Sequence, residues 1–473
     1  MQKKTILLIL ISTSFCIYQN NNFTNENKSV HDFSNVYHET VDSIEFPKTI
    51  AELRDIIIKA DKPIAVAGGK YSMGGQVWFK DGVVVDMQHL NAITAFNPEE
   101  KTISVQAGAC WSDLQEFLHS YNLSIMVMQS YNDFSIGGSL SVNIHGRDPH
   151  GQVITTVESI MVMLADGSLV QASRTENSDI FNAVIGGYGA CGIIVNVTLH
   201  LEENYKIKRC MKTVSVNHFT NFYKSIIATN QNISLFNANL YGPHYDKVVA
   251  VSWEKTDKAL TSKKLALQYN DNSNLFLDYQ NIMLEHAISE YSLAQRIRYV
   301  LDTKVTKNKN YVVWRSNEMS YSVKSLAASS DNVSKILQEY FIPVDQFNRF
   351  VETLKETIND NKIKMLNISI RHVPANNESL LTYAPQDCFA FVCYISIKNN
   401  PQGHENAKVW TQKLINAALD LEGTYYLPYH LFATKDQFIQ AYPGCIDLLK
   451  IKSIYDPTNK FQNSMTQSWK YLS

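Results

Sequence analysis

Glycine placement constrains this chain more than any other feature of its sequence. Glycines cluster in the first half, at Gly68-Gly69, Gly74-Gly75, Gly137-Gly138 and from Gly186 to Gly192, and become sparse beyond about residue 206. A glycine occupies no Cβ volume and reaches positive φ, so such clusters mark tight turns and close backbone approaches. Short β-branched runs lie between them. Pro63–Ala67, Gly82–Met87, Thr102–Ala107, Ser159–Leu164 and Ile193–Leu201 read as strands. Ile50–Ala60 and Trp111–Tyr121 read as helices, the second with Leu114, Phe117 and Leu118 at helical spacing. Residues 42–205 therefore form an α+β unit with many strands and few long helices.

The texture changes after that unit. His218–Thr229, Ser330–Tyr340, Val344–Asn359 and Asn406–Leu421 read as helices, and Met365–His372 and Ala390–Ile397 as strands. Residues 206–422 are expected to form a second α+β domain, a sheet covered by helices that caps the first. The stretch from about 256 to 312 is polar and gives no assignment. From residue 423 to 473 turn residues return (Pro428, Pro443, Gly444, Pro457), as in a chain running back to a structured domain. A length of 473 residues suits two domains.

Composition narrows the class. Lys+Arg 43 against Asp+Glu 45 gives a net charge of −2, which argues against a nucleic-acid binder and its basic face. Lys3 and Lys4 precede the apolar run Ile6–Tyr18, the pattern of an export signal over residues 1 to about 20. The expected destination is periplasmic or secreted. No later run approaches the roughly 20 apolar residues of a membrane span. Of seven cysteines, Cys16 falls in the signal. The other six are scattered, several in apolar runs, and read as buried free thiols. No His/Cys spacing suggests zinc, and no metal is expected.

Four motifs carry chemistry. Ala67-Gly68-Gly69-Lys70-Tyr71-Ser72-Met73-Gly74-Gly75 directly follows a strand. Successive N–H groups in such a loop form a nest that can hold a pyrophosphate. Phe134 to Asp148 places Gly137-Gly138, Ser141, Asn143 and Ile144-His145-Gly146 in one stretch, small residues and polar tips that suit a wall beside a flat cofactor. Gly187-Tyr188-Gly189-Ala190-Cys191-Gly192 matches G-x-G-x-x-G, yet the alternating β-branched run from Ile193 reads as a strand. A dinucleotide fingerprint needs a helix there, so the Rossmann reading is rejected. The fourth motif runs from Phe432-Ala433-Thr434-Lys435-Asp436 through Tyr442-Pro443 to Asp456-Pro457 and Phe461.

In this order and spacing the motifs resemble the vanillyl-alcohol-oxidase, or p-cresol-methylhydroxylase, type of FAD-binding oxidoreductase. The nearest likenesses are the sugar-lactone and alditol oxidases and decaprenylphosphoryl-ribose 2′-oxidase. The resemblance implies a two-subdomain FAD-binding domain plus a substrate cap, and oxidation of a CH–OH group by hydride transfer to flavin N5. It implies that Ala67 to Gly74 cradle the pyrophosphate, and that Gly137, Gly138, Ser141, Asn143, His145, Gly146, Gly192, Ile193 and Ile194 hold the rest of the cofactor. It places Lys435, His145 and Arg371 at the reacting end. Two departures are visible. Tyr71 stands where many relatives carry a histidine bonded to the flavin, so dissociable FAD is expected. Ser369 stands where alditol oxidases carry an acid two residues before the arginine. Ile144 beside His145 leans towards a quinone or other electron acceptor rather than oxygen. Another donor (a polyprenyl-phosphate sugar, an amine or a phenol) and a non-catalytic binding role remain open.

Overall fold

A computed structural model describes residues 28–261, 292–305, 311–323 and 332–468. The expected export signal and much of the polar stretch after residue 256 lie outside the described residues.

The amino-terminal module holds two sheets. Three short parallel strands lie in the order Ser43–Glu45, Val83–Asp86, Ile64–Ala67. Helix Ile50–Lys59 buries Leu53 and Ile57 among the apolar residues of this sheet, and the Thr49 hydroxyl caps it by accepting from the Glu52 N–H. The second sheet is antiparallel, in the order Leu169–Ser173, Val157–Met163, Ile193–Glu203, Thr102–Gln106, Ile93–Asn97, and Leu123–Ile125 pairs with the far end of Ile193–Glu203. The strand after the G-x-G-x-x-G run is therefore real. Gly186 and Gly189 before it sit at φ of 78° and 73°, a backbone that side chains with a Cβ rarely adopt.

The cap is one eight-stranded antiparallel sheet. Its order is Val312–Trp314, Lys206–Ser215, Lys247–Lys255, Ile233–Leu240, Lys364–Val373, Cys388–Lys398, Val333–Pro343, Thr424–Tyr425. Helices Val216–Phe222, Phe347–Asp360 and Pro401–Leu419 pack on one face. Phe219, Phe347, Phe350, Phe389 and Phe391 fill the space between. The helix expected over Ser330–Tyr340 is instead the strand Val333–Pro343, paired residue for residue with Cys388–Lys398. The strand is buried on both faces over its second half, so alternation that would betray a strand is lost there. The helix expected from His218 to Thr229 is shorter and ends in a π turn over Tyr223–Ile227. The six cysteines among the described residues are free thiols, Cys110 and Cys210 only half-buried, and burial pushes those of Cys191 and Cys388 up to about 12.

The carboxyl-terminal segment returns to the first module. The Ile64 N–H donates to the Lys460 carbonyl at 2.8 Å and the Gln462 N–H to the Ile64 carbonyl at 2.9 Å, so Phe461 borders the parallel sheet. Lys452 Nζ donates to the carbonyls of Ala190 and Phe461 and to Asp456 Oδ2, at 2.7, 2.8 and 2.7 Å. The start of the described chain is pinned to the same segment. The Ser34 hydroxyl donates to Asp32 Oδ2 and lies 2.9 Å from His430 Nε2, and all three residues are buried.

Burial pushes the His430 imidazole down to about 3, from an ordinary value of 6.5. Between those limits the unfolded chain binds a proton here that the folded chain refuses. Stability contributed at this site is therefore lost as pH falls through that window, by up to about 1.4 kcal/mol per unit. Burial raises the Asp32 carboxyl, with the opposite effect: stability falls as pH rises above its ordinary value of 3.8. Exchanging His430 for Gln isolates the first effect. We expect the stability of His430→Gln, measured by urea unfolding between pH 6.5 and 4, to depend less steeply on pH than that of the parent. Equal slopes would remove His430 as the acid-sensitive group.

Candidate active site

A cavity of about 460 Å³ lies between the glycine loop, the Phe134–His145 stretch and the open face of the cap sheet. It falls in the usual range for small-molecule sites. The glycine loop forms one wall. Lys70 there has φ of 62°, the left-handed step that turns successive N–H groups towards one side. Its ammonium is held 2.7 Å from Asp86 Oδ2, whose side chain is fully buried. The loop's one cation is thus engaged by the protein, which leaves backbone and hydroxyl donors for a ligand. The Ser72 hydroxyl is buried in this wall with no hydrogen-bond partner. Space is tight behind the loop. A Cβ on Gly68 would lie 2.1 Å from Ser135 Oγ, the atom that accepts from the Gly69 N–H at 2.9 Å. On the far side, a Cβ on Gly189 would meet nothing within 4 Å, so backbone there borders open cavity. An orphaned hydroxyl and a bare backbone wall fit a phosphate-bearing cofactor.

Tyr71 lies edge-on to Phe33 and Phe134, with ring centroids 5.2 and 5.0 Å away. All three line the cavity. His145 reaches it from the turn after the helix Ile136–Ser141 and is buried. Its Nε2 lies 2.6 Å from Glu339 Oε1, and its Nδ1 lies 3.3 Å from the Gly146 carbonyl. Glu339 Oε2 also accepts from the Tyr429 hydroxyl at 3.2 Å. Burial, with the Glu339 charge beside it, keeps the Tyr429 phenol well above its ordinary range and therefore a donor.

Strand register explains which cap residues share the cavity. Glu339 pairs with Val392, and Val392 with Ser369. The neighbouring row runs Leu337, Tyr394, Asn367. Side chains at paired positions point to one face, and alternate residues along each strand do so too. Arg371, two residues beyond Ser369, therefore shares this face and lines the cavity.

Of the expected cofactor residues, Ala67 to Met73, Gly137, Gly138, Ser141, His145, Gly192, Ile193 and Ile194 line the cavity, as does Arg371. Gly74, Asn143, Gly146 and Lys435 do not. A Cβ on Gly74 would lie 2.4 Å from the Tyr429 carbonyl, so it backs the loop against the carboxyl-terminal segment. Asn143 Nδ2 donates to Gln152 Oε1 at 2.6 Å and its Oδ1 accepts from the Ile154 N–H, which braces the turn from behind. Gly146 faces Asp148 and the Met128 carbonyl, at 2.4 and 2.6 Å from a notional Cβ. Lys435 opens the helix Lys435–Ala441 on the surface. The Thr434 and Gln437 capping box fixes that helix start, and Pro428 and Tyr429 enter the cavity instead. Sequence reasoning missed Glu339, which is the sole carboxylate among the described residues that line the cavity. It sits in the run read as a helix. Read as a strand, that run puts Leu337, Glu339 and Phe341 on one face.

The family profile described as D-arabinono-1,4-lactone oxidase matches residues 197–469, and that described as FAD binding domain matches residues 41–173. The chain is similar to an uncharacterized oxidoreductase of the fasciation locus of Rhodococcoides fascians, 32% identical over 186 residues, or 38% of this chain and 42% of that one. It is similar to the L-gulonolactone oxidase of Mus musculus, 24% identical over 237 residues, 49% of this chain and 51% of that one. It is 23% identical to the L-gulonolactone oxidase of Scyliorhinus torazame over 441 residues, 88% of this chain and 92% of that one. The chain thus spans about half the length of the first two relatives and nearly all of the third.

The loop geometry yields a test. Gly68→Ala places a methyl 2.1 Å from Ser135 Oγ and drives that hydroxyl off the Gly69 N–H. Loss of one such hydrogen bond in a buried loop weakens FAD binding by about tenfold. Fluorescence titration of the deflavinated protein with FAD measures this. Unchanged affinity would show that the loop does not touch the cofactor.

Proposed function

Because the chain belongs to the D-arabinono-1,4-lactone oxidase family, we propose that it is an FAD-dependent oxidoreductase that oxidises a carbinol CH–OH of a sugar-lactone-like substrate. The observation that carries this reading is the shared cavity: a phosphate-suited glycine loop at one end, and His145, Glu339 and Arg371 on walls of the same space. FAD, when bound, supplies the hydride acceptor, and the protein orients and tunes.

The division of labour follows from the side chains. The Gly68–Met73 loop and the Ser72 hydroxyl hold the pyrophosphate. Tyr71, Phe33 and Phe134 offer an aromatic wall, and a phenol there cannot form the histidyl bond of many relatives, so FAD is held non-covalently. Arg371 orients the substrate by its oxygens. Glu339 takes the alcohol proton, since it is the carboxylate at hand and its two oxygens are fixed by His145 and Tyr429. Loss of that proton and loss of the hydride leave a carbonyl. Ile144 is buried beside His145 and lines the cavity, which supports an acceptor other than oxygen. Residues 42–205 serve as the FAD-binding domain, 206–422 as the substrate domain and 423–473 as a returning segment. Lys3, Lys4 and the apolar run after them support export to the periplasm or the medium.

Two outcomes are expected. Acid precipitation of the purified yellow protein releases its flavin to the supernatant, and colour kept in the pellet would overturn the non-covalent reading. Anaerobic addition of a sugar-lactone panel bleaches the flavin, and Glu339→Gln slows that bleaching in stopped-flow by about a hundredfold, the usual worth of a general base. An unchanged rate would remove Glu339 from proton transfer.

A further inference from the structure

Among the described residues that line the cavity, Arg371 is a cation without an ion-pair partner. Arg371 lines the cavity, yet among the described residues no carboxylate lies within ion-pair distance of its guanidinium, and its Nε is buried without a hydrogen-bond partner. The other basic side chains that line this cavity are engaged. Lys70 is held by Asp86 at 2.7 Å. Arg298 donates to the Leu366 carbonyl at 2.7 Å and to Asn367 Oδ1 at 3.2 Å, and Asp302 lies 3.6 Å from its Nε. His145 is held by Glu339 at 2.6 Å. Glu339 is itself committed, with one oxygen to His145 and the other to Tyr429. An acid on the same face of the same strand, two residues before Arg371, would match the charge. That position is Ser369, a neutral hydroxyl that also lines the cavity.

A guanidinium nitrogen buried without a partner is costly unless something completes it. The planar guanidinium fork matches a carboxylate, which offers two oxygens and the opposing charge, whereas a lactone carbonyl offers one neutral oxygen. Resting on the FAD-dependent CH–OH oxidation proposed above, and replacing the lactone by its open acid, we propose that the preferred substrate is a polyhydroxy acid, a sugar acid whose free carboxylate is bound by Arg371 with Ser369 beside it. The carboxylate takes no part in the bond changes. The carbinol C–H is lost as hydride to FAD, the O–H proton passes to Glu339, and a ketone or aldehyde forms at that carbon.

The test compares pairs with one carbon skeleton: L-gulonate against L-gulono-1,4-lactone, and D-arabinonate against D-arabinono-1,4-lactone. Each is added anaerobically to the holoprotein at pH 7, with the lactones freshly dissolved. Binding is read by calorimetry and flavin reduction by absorbance. We expect the acid of at least one pair to bind at least about tenfold tighter than its lactone, the worth of one charge-assisted bidentate contact. Arg371→Gln should erase that difference, weakening the acid about tenfold and the lactone less than about threefold. Ser369→Glu, which supplies the missing acid, should also abolish the preference, with an unaltered flavin spectrum as the sign of an intact fold. Lactones that bind as tightly as the acids, equal losses for both ligands in Arg371→Gln, or no binding of either acid would overturn the inference. Reduction by lactone alone would sink the acid preference and leave the oxidoreductase reading standing. Acid binding that depends on Arg371, without reduction by any member of the panel, would sink the oxidoreductase reading and leave the carboxylate site standing.

Discussion

The 2.6 Å hydrogen bond between His145 Nε2 and Glu339 Oε1 is the contact on which the rest of the cavity depends. It joins the turn of one module to the sheet of the other, and both residues are nearly inaccessible, at 3% and 2%. Breaking such a bond from one side leaves a buried polar group unpaired, which costs about 1–3 kcal/mol. Two tyrosines repeat the crossing. The Tyr383 hydroxyl donates to the Asn143 carbonyl at 2.7 Å, and the Tyr426 hydroxyl to the Val142 carbonyl at 2.8 Å. Phe341 packs against His145, Tyr383 and Tyr426, with centroids 5.5, 4.3 and 5.6 Å apart. Polar bonds at the rim of an aromatic cluster set the height of the cap sheet above the 142–146 turn. That height decides what fits between.

Much of the first module was legible because its strands are short, β-branched and punctuated by glycine. The rejection of a dinucleotide fingerprint at Gly187–Gly192 rested on the strand after it, and Ile193–Glu203 is the long central strand of its sheet. The family signature was equally readable, since small residues near a ligand leave a pattern in the sequence itself. The turn at Asp456-Pro457 announced a return to the first module, though not its partners. Lys452 bonds the Ala190 carbonyl across 262 residues, and nothing local marks that.

In Val333–Pro343 long-range burial overrides local pattern. Val333–Pro343 has helices behind it and the cavity in front, so its apolar residues fall on both faces and the period of two disappears. Glu339 vanished with it, since a carboxylate inside a supposed amphipathic helix reads as a solvated face. Lys435 followed a motif likeness into the cavity, whereas the capping box at Thr434 puts it at the surface. Arg371 came from the same family likeness, and it lines the cavity on a strand whose alternating polar residues, Asn367, Ser369 and Arg371, share one face.

The returning segment has a consequence for how the molecule comes into being. Ile64 finds its edge partners at Lys460 and Gln462, and the cavity receives Pro428 and Tyr429 from the same stretch. Residues 460–462 therefore complete a sheet whose named strands all lie before residue 87. A nascent chain can gather its glycine loop early, yet the strand before that loop keeps an open edge until residues 460–462 arrive. Cofactor capture is thereby tied to the arrival of residues 428–462, and a chain cut before them carries an unfinished pocket rather than a half-active enzyme.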